Sequence, residues 1–111
     1  MTEVLFRDSA QGVQVVDDQE DRQYLLYMNG AQAGTMAYRI VGRRRVLLHT
    51  EVDKIFRGRG LSQILIQAVL DDLQRRQQKA TIYCPAVDRF IHQRVEYAAV
   101  VDANHPGIWS A

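Results

Sequence analysis

One cysteine, two prolines and one tryptophan among 111 residues leave several protein classes without their chemistry. Cys84 has no second thiol to join within the chain, so the fold must stand on packing, as in the reducing cytoplasm. Charge of one sign is lacking too. Fourteen basic residues against 13 acidic ones leave a net +1, which excludes a polybasic protein held to nucleic acid by phosphate neutralisation alone but not a local basic site. The most apolar stretch, residues 61–70, is broken by Ser62, Gln63 and Gln67 and falls well short of the ~20 apolar residues a bilayer needs. The first eight residues carry Glu3 and Asp8 and lack the basic and apolar regions of a secretory signal. Repeats, low-complexity tracts and linker-like Gly/Pro runs are missing as well. No membrane partner and no metal are expected.

What is present suits one core. Hydrophobic residues make up 47% of the chain, and a domain of this size buries roughly two-thirds of the surface its unfolded chain exposes, so residues 1–111 are expected to form one domain. Residues 12–16 alternate as a strand and close on polar residues 17–21, which read as a turn. Residues 24–28 are rich in strand formers and run into Asn29-Gly30, whose tolerance of positive φ marks a hairpin. Residues 33–40 and 46–52 continue the antiparallel meander. Between them, Arg43, Arg44 and Arg45 read as a solvated turn rather than a nucleic-acid patch, since no aromatic residue interleaves them.

From residue 61 to about 77 the period becomes helical, with Ile66, Val69, Leu70 and Leu73 on one face. Residues 80–84 form a short strand ended by Pro85, and the unit 46–84 is a right-handed crossover that sets its two strands side by side. Residues 87–94 read as a second, short helix. Trp109, in a tail with little periodicity, reads as a core plug or dimer contact. The fold class is α/β of the mixed, α+β kind: a mostly antiparallel sheet with a central β-loop-α-β unit.

The segment 52–62 carries the chemistry. Gly58 and Gly60 let the backbone turn sharply and gather N–H groups, and the helix that follows adds unpaired donors and its positive dipole end. Such a loop can hold phosphate, and Arg57 and Arg59 add charge suited to a pyrophosphate. Alternatively, Gly-Arg-Gly is only a strand-to-helix turn with solvated arginines. No Gly-Lys-Ser/Thr closes the loop as in a P-loop, and it does not follow a parallel first strand as a dinucleotide fingerprint would.

Arg57-x-x-Gly60-x-Ser62, between an apolar strand and an amphipathic helix, resembles the Gln/Arg-x-x-Gly-x-Gly/Ala pyrophosphate motif of the GNAT acetyltransferase superfamily, with serine at the small last position. His49-Thr50-Glu51-Val52, Cys84 and Val95-Glu96-Tyr97-Ala98 extend the likeness to the small single-domain YjdJ-like subfamily, across residues 13–101. Two departures stand out. Arg94-Val95 replaces that subfamily's His-Pro, so no role passes to that histidine, and Pro85 follows Cys84 where serine is usual.

The resemblance implies a GNAT-like fold, acetyl-CoA as cofactor and direct acetyl transfer to an amine. It places the pantetheine arm in a gap beside the strand of residues 46–53, along Val52 and Asp53. The N–H groups of Arg57, Gly58, Arg59, Gly60, Leu61 and Ser62 would surround the pyrophosphate, with Cys84 near the acetyl group. Transfer to an amine needs a base, and Glu51 and His49, at i and i+2 of a strand, share one side. Glu51 could instead be the cross-strand partner of Arg22 or Arg39, His49 a core histidine, and Cys84 an inert hydrophobe rather than a transient acetyl carrier.

The helices that wall the acceptor pocket in this superfamily have no room here, because only residues 17–21 separate the first two strands. An open acceptor side suits a large acceptor such as a protein or peptide amine, or a site completed by a partner subunit. The rival expectations are a module that binds CoA without transferring, and an interaction protein that uses its basic hairpin. The acceptor's identity and the oligomeric state stay open.

Overall fold

Alternating apolar positions joined by tight turns build most of the molecule. The computed structural model describes residues 2–111, in the order β1 (Thr2–Asp8), β2 (Val13–Asp18), β3 (Gln23–Met28), β4 (Ala31–Val41), β5 (Arg44–Val52), α1 (Leu61–Arg75), β6 (Ala80–Ile82) and α2 (Pro85–Gln93). Short 3-10 segments follow β5 (Lys54–Phe56) and α2 (Val95–Val100). One six-stranded sheet runs β1-β2-β3-β4-β5-β6, antiparallel until the parallel β5/β6 pair. The meander and crossover expected from the sequence are therefore present. Asn29 and Gly30 adopt φ of 50° and 84°, the left-handed pair that a two-residue hairpin turn requires.

One face of the sheet is the core. Val13, Val15, Tyr24, Leu26, Met36, Tyr38 and Leu47 are buried there in one cluster with Leu65, Val69, Leu70 and Leu73 of α1 and Val87 and Ile91 of α2. Each fully buried large aliphatic side chain contributes about 1.5–3 kcal/mol, which explains how a 15-residue helix with an exposed N-terminus holds its place. The opposite face carries no helix among the described residues.

Two expectations are corrected at the centre of this core. Asp17 is no turn residue and Arg45 no solvated arginine: β2 runs on to Asp18, and both side chains are buried. Arg45 Nη1 lies 2.7 Å from Asp17 Oδ2 and donates to Tyr24 Oη at 2.7 Å, while Tyr38 Oη donates to Asp17 Oδ1 at 2.7 Å. The guanidinium also stands 4.5 Å from the Tyr38 ring centre. Burial pushes the phenols of Tyr24 and Tyr38 far above their ordinary range, so both remain neutral, Tyr24 accepting from Arg45 and Tyr38 donating to Asp17.

Three elements have little signature in the sequence. β1 is an edge strand with mostly exposed residues and a bulge at Leu5, and it makes the glycine loop follow the fifth strand rather than the fourth. Val95–Val100 coils as a 3-10 segment and Tyr97 Oη donates to Asp71 Oδ1 at 2.7 Å. Finally, the tail docks against β6 through Gly107, where a Cβ would meet the Ile82 carbonyl oxygen at 2.1 Å. β6 is also shorter than expected, because Pro85 both ends the extended run and opens α2.

Trp109 is partly buried against the core, and its ring lies 5.8 Å from that of His92. His92 Nδ1 is 2.8 Å from the Asp88 carbonyl oxygen and Nε2 is 2.9 Å from that of Ser110. Only an imidazolium donates to two carbonyls at once, and these two acceptors raise the His92 pKa above its ordinary 6.5.

Two measurements check these contacts. Arg45→Met or Asp17→Ala is expected to lose about 3–5 kcal/mol in urea unfolding, since each strands its partner in the core, whereas an Asp17→Val/Arg45→Met double variant recovers much of that loss. Because the folded-state pKa of His92 is raised, its stabilising contribution is complete below about pH 6.5 and fades as pH rises through the raised value. His92→Gln should therefore lower the melting temperature at about pH 5.5 and leave it nearly unchanged at about pH 9.

Candidate active site

β5 and β6 part company after three residue pairs. The Leu47 carbonyl accepts the N–H groups of Tyr83 at 2.9 Å and Cys84 at 3.0 Å, and Pro85, which has no N–H, then turns the chain into α2. β5 continues to Val52, bent by a bulge: Tyr38 faces Leu47 and Ala37 faces His49, leaving Leu48 as the extra residue. Asp53 N–H points to β4, bonded to the Ala33 carbonyl at 2.7 Å. By alternation, the main-chain groups of Thr50 and Val52 face the gap where β6 would have been. Arg57 Nε donates to the Val52 carbonyl there at 3.1 Å.

Below the gap sits the glycine loop. Gly58 and Gly60 adopt φ of 83° and 71°, and Gly60 caps α1 without any side-chain hydrogen bond. The first helical bond runs from Ile64 N–H to the Gly60 carbonyl. The six N–H groups from Gly58 to Gln63 therefore have no acceptor among the described residues, a larger deficit than a capped helix start leaves. They edge a groove of about 320 Å³ lined by Thr50, Val52, Phe56, Arg57, Ser62 and Arg89, among others. The dipole of α1 and the Arg57 guanidinium make that groove attractive to an anion.

The residues expected around this loop divide into three groups. Val52, Arg57, Gly58, Gly60, Leu61 and Ser62 line the groove together with Glu51. Asp53 stands apart: its N–H is turned to β4 and its carboxylate caps the Lys54 N–H, so it offers no donor to the gap. The N–H of Arg57 is likewise committed, to the Lys54 carbonyl, and Arg59 sends its guanidinium over the Phe56 ring at 5.8 Å.

Glu51 and His49 meet on the sheet face opposite the helices. His49 Nε2 lies 3.1 Å from Glu51 Oε1, with side chains 62% and 70% exposed. His49 is thus no core histidine, and Glu51 pairs with His49 rather than with Arg22 or Arg39. Glu51 also lines a second hollow, of about 350 Å³, with Gln32, Thr35, Asp53 and Lys54. Cys84, buried at the vertex of the gap, has its Sγ 3.1 Å from Thr50 Oγ1.

The sequence reading missed Thr50, Phe56, Ala86 and Arg89. Thr50 sits inside the His-Thr-Glu-Val run and is legible in hindsight from strand alternation. Ala86 and Arg89 reach the groove only because α2 packs beside α1. Among the described residues, no group of three His, Cys, Asp or Glu side chains is placed to hold a metal, and no helix is long and apolar enough to cross a membrane.

Comparison with known proteins agrees with this geometry. Residues 23–100 match the family model described as GCN5-related N-acetyl-transferase. The relative named Protein NATD1 from Xenopus tropicalis is 31% identical over 88 residues, covering 78% of this chain and 81% of that protein. The Gallus gallus relative of the same name is 34% identical over 83 residues, 73% of this chain and 76% of its own. Two solved structures share the fold with a TM-score of 0.50 each. The ribosomal-protein-S18-alanine N-acetyltransferase of Escherichia coli is 23% identical, with 54% of this chain and 39% of that one aligned. The ribosomal-protein-alanine N-acetyltransferase of Brucella melitensis biovar Abortus 2308 is 21% identical, with 80% and 64% aligned.

Proposed function

The chain belongs to the GCN5-related N-acetyl-transferase family, and on that footing we propose that it is an acetyl-CoA-dependent N-acetyltransferase transferring directly to an amine on a polypeptide. The observation that carries this reading is the pairing of two surfaces: the outer edge of β5 at Thr50–Val52, which has no neighbouring strand and only the Arg57 guanidinium on its Val52 carbonyl, and the six free N–H groups from Gly58 to Gln63. A linear ligand with a peptide-like arm and a pyrophosphate satisfies both. The solved structures that share the fold carry names of enzymes acting on ribosomal-protein alanine, which supports a polypeptide acceptor. The His49–Val52 run points to the YjdJ-like branch, and the free Cys84 to the cytoplasm.

In this reading, acetyl-CoA supplies an activated thioester, and the chain holds and orients the reactants. The N–H groups of Gly58–Gln63 and the Arg57 guanidinium hold the pyrophosphate. Main-chain groups of Thr50 and Val52 align the pantetheine arm, and Arg89 and Ala86 form the wall on the α2 side. An amine is protonated near neutrality, so Glu51 accepts its proton and His49, 3.1 Å away, passes it to solvent. An outward N–H of β5 donates to the carbonyl oxygen as it gains charge. Cys84 borders the acyl end. Its partner is the Thr50 hydroxyl rather than a base or a cation, which favours lining the site over carrying the acetyl group.

The uncovered sheet face favours one alternative, a module that binds CoA without efficient transfer. Thiol release from acetyl-CoA over a panel of peptides separates the two, since binding without release with every peptide would leave only the module. A Glu at position 62 suits a helix N-terminus, so Ser62→Glu should keep its melting temperature while CoA affinity by calorimetry falls at least about tenfold. Glu51→Gln should lower kcat by about 10²-fold with CoA affinity unchanged, the signature of a lost base.

A further inference from the structure

Two turns distant in sequence meet at the end of the sheet opposite the groove. The β4–β5 turn brings Arg43 and Arg44, and the α1–β6 turn brings Arg76 and Lys79, around a cleft of about 600 Å³, larger than either hollow at the glycine loop. Arg76 is committed to Asp72 and Glu3, and Lys79 Nζ donates to the Ala99 carbonyl at 2.6 Å. Asp102, the one acid lining the cleft, is held by the N–H groups of Asn104 and His105. Arg43 and Arg44 have no acidic partner among the described residues, and Arg44 Nε is buried without an acceptor. Asp18, Glu20 and Asp21, the acids at the neighbouring β2–β3 turn, do not line the cleft, and Asp18 accepts the Asp21 N–H. The cleft is thus a cationic hollow whose arginine charge is unanswered within the fold.

Its ligand follows from its surroundings. No aromatic ring lines it, so it offers nothing on which a base could stack. Because Arg45 points into the core, Arg44 and Val46 lie on the other face, the one without helices. Arg39, which faces Val46, Ala37 beside His49, and Thr35 beside Glu51 share that face by register. Val46 itself is buried, so the exposed path from Glu51 to Arg44 runs over His49 and Arg39, about 20 Å or six to seven extended residues long.

We propose that this cleft is an exosite for an acidic segment of the acceptor polypeptide, six to seven residues from the amine that meets Glu51. The inference rests on the acetyl-transfer reading for its meaning, but its test does not. Binding of labelled ten-residue peptides is measured by fluorescence anisotropy without acetyl-CoA, comparing Glu with Gln at positions six and seven. The Glu peptide should bind at least about tenfold more tightly at low salt, as charge-assisted contacts to two guanidinium groups allow. An Arg43→Glu/Arg44→Glu variant should abolish the difference while CoA affinity and the circular dichroism spectrum stay as in the parent. Equal binding of the two peptides, or a difference that survives charge reversal, would overturn the proposal. So would a double-stranded oligonucleotide that displaces the Glu peptide at lower concentration than unlabelled peptide does. Where transfer is measurable, charge reversal should raise KM for the Glu peptide and leave kcat unchanged.

Discussion

The buried contact between Asp17 and Arg45 governs the sheet on which everything else is built. With Tyr24 and Tyr38 it places one polar side chain on each of β2, β3, β4 and β5, joined at 2.7 Å. A one-residue slip of any of these strands would turn its member out to solvent and leave the others buried and unpaired. Such a group is weak evidence for stability, because well-packed apolar residues could replace it at little cost. Its value here is register. Hydrophobic alternation tells a strand which face to bury; the Asp17–Arg45 group tells four strands which residues stand opposite each other.

Register in turn sets the gap. β5 and β6 pair through only Arg45, Val46 and Leu47, after which the Leu48 bulge bends one strand and Pro85 diverts the other. Neither device would suffice alone. A straight β5 would continue the ladder, and an undiverted β6 would fill the space beside Thr50 and Val52. Together they leave a strand edge open next to a helix start that has no capping side chain. The protein thus leaves main-chain groups without a protein partner at two adjoining places, both open to solvent.

The single helical layer gives the molecule its second character. α1 and α2 share one face, and the other face presents the His49–Glu51 pair, Arg39 and the path to Arg44. Recognition of a large partner along that face needs no enclosing pocket, only charges placed along an extended chain. The glycine-loop groove and the exposed strip thus lie on opposite sides of the same strand.

Much of this was legible from residues alone. The Asn29-Gly30 hairpin, the helix from Leu61, the crossover and the glycine loop follow from local preferences and period, which act over a few residues and need no partner. The Arg57-x-x-Gly60-x-Ser62 spacing likewise pointed to the loop whose N–H groups stand free at the start of α1. What the residues could not disclose depended on what lies across space. Arg45 looks like its neighbours Arg43 and Arg44, and only the fold sends it inward to Asp17 while they stay at the cleft. Asp53 sits in the motif beside Val52, yet its N–H bonds to β4, because adjacent residues of a strand face opposite ways. Arg89 reaches the groove through the packing of α2 on α1. Sequence determined most of the strand, loop and helix segments, β1 and the coil at Val95–Val100 excepted, since those depend on near neighbours. Tertiary structure alone decided which charges are buried, paired or left free, since that depends on residues far along the chain.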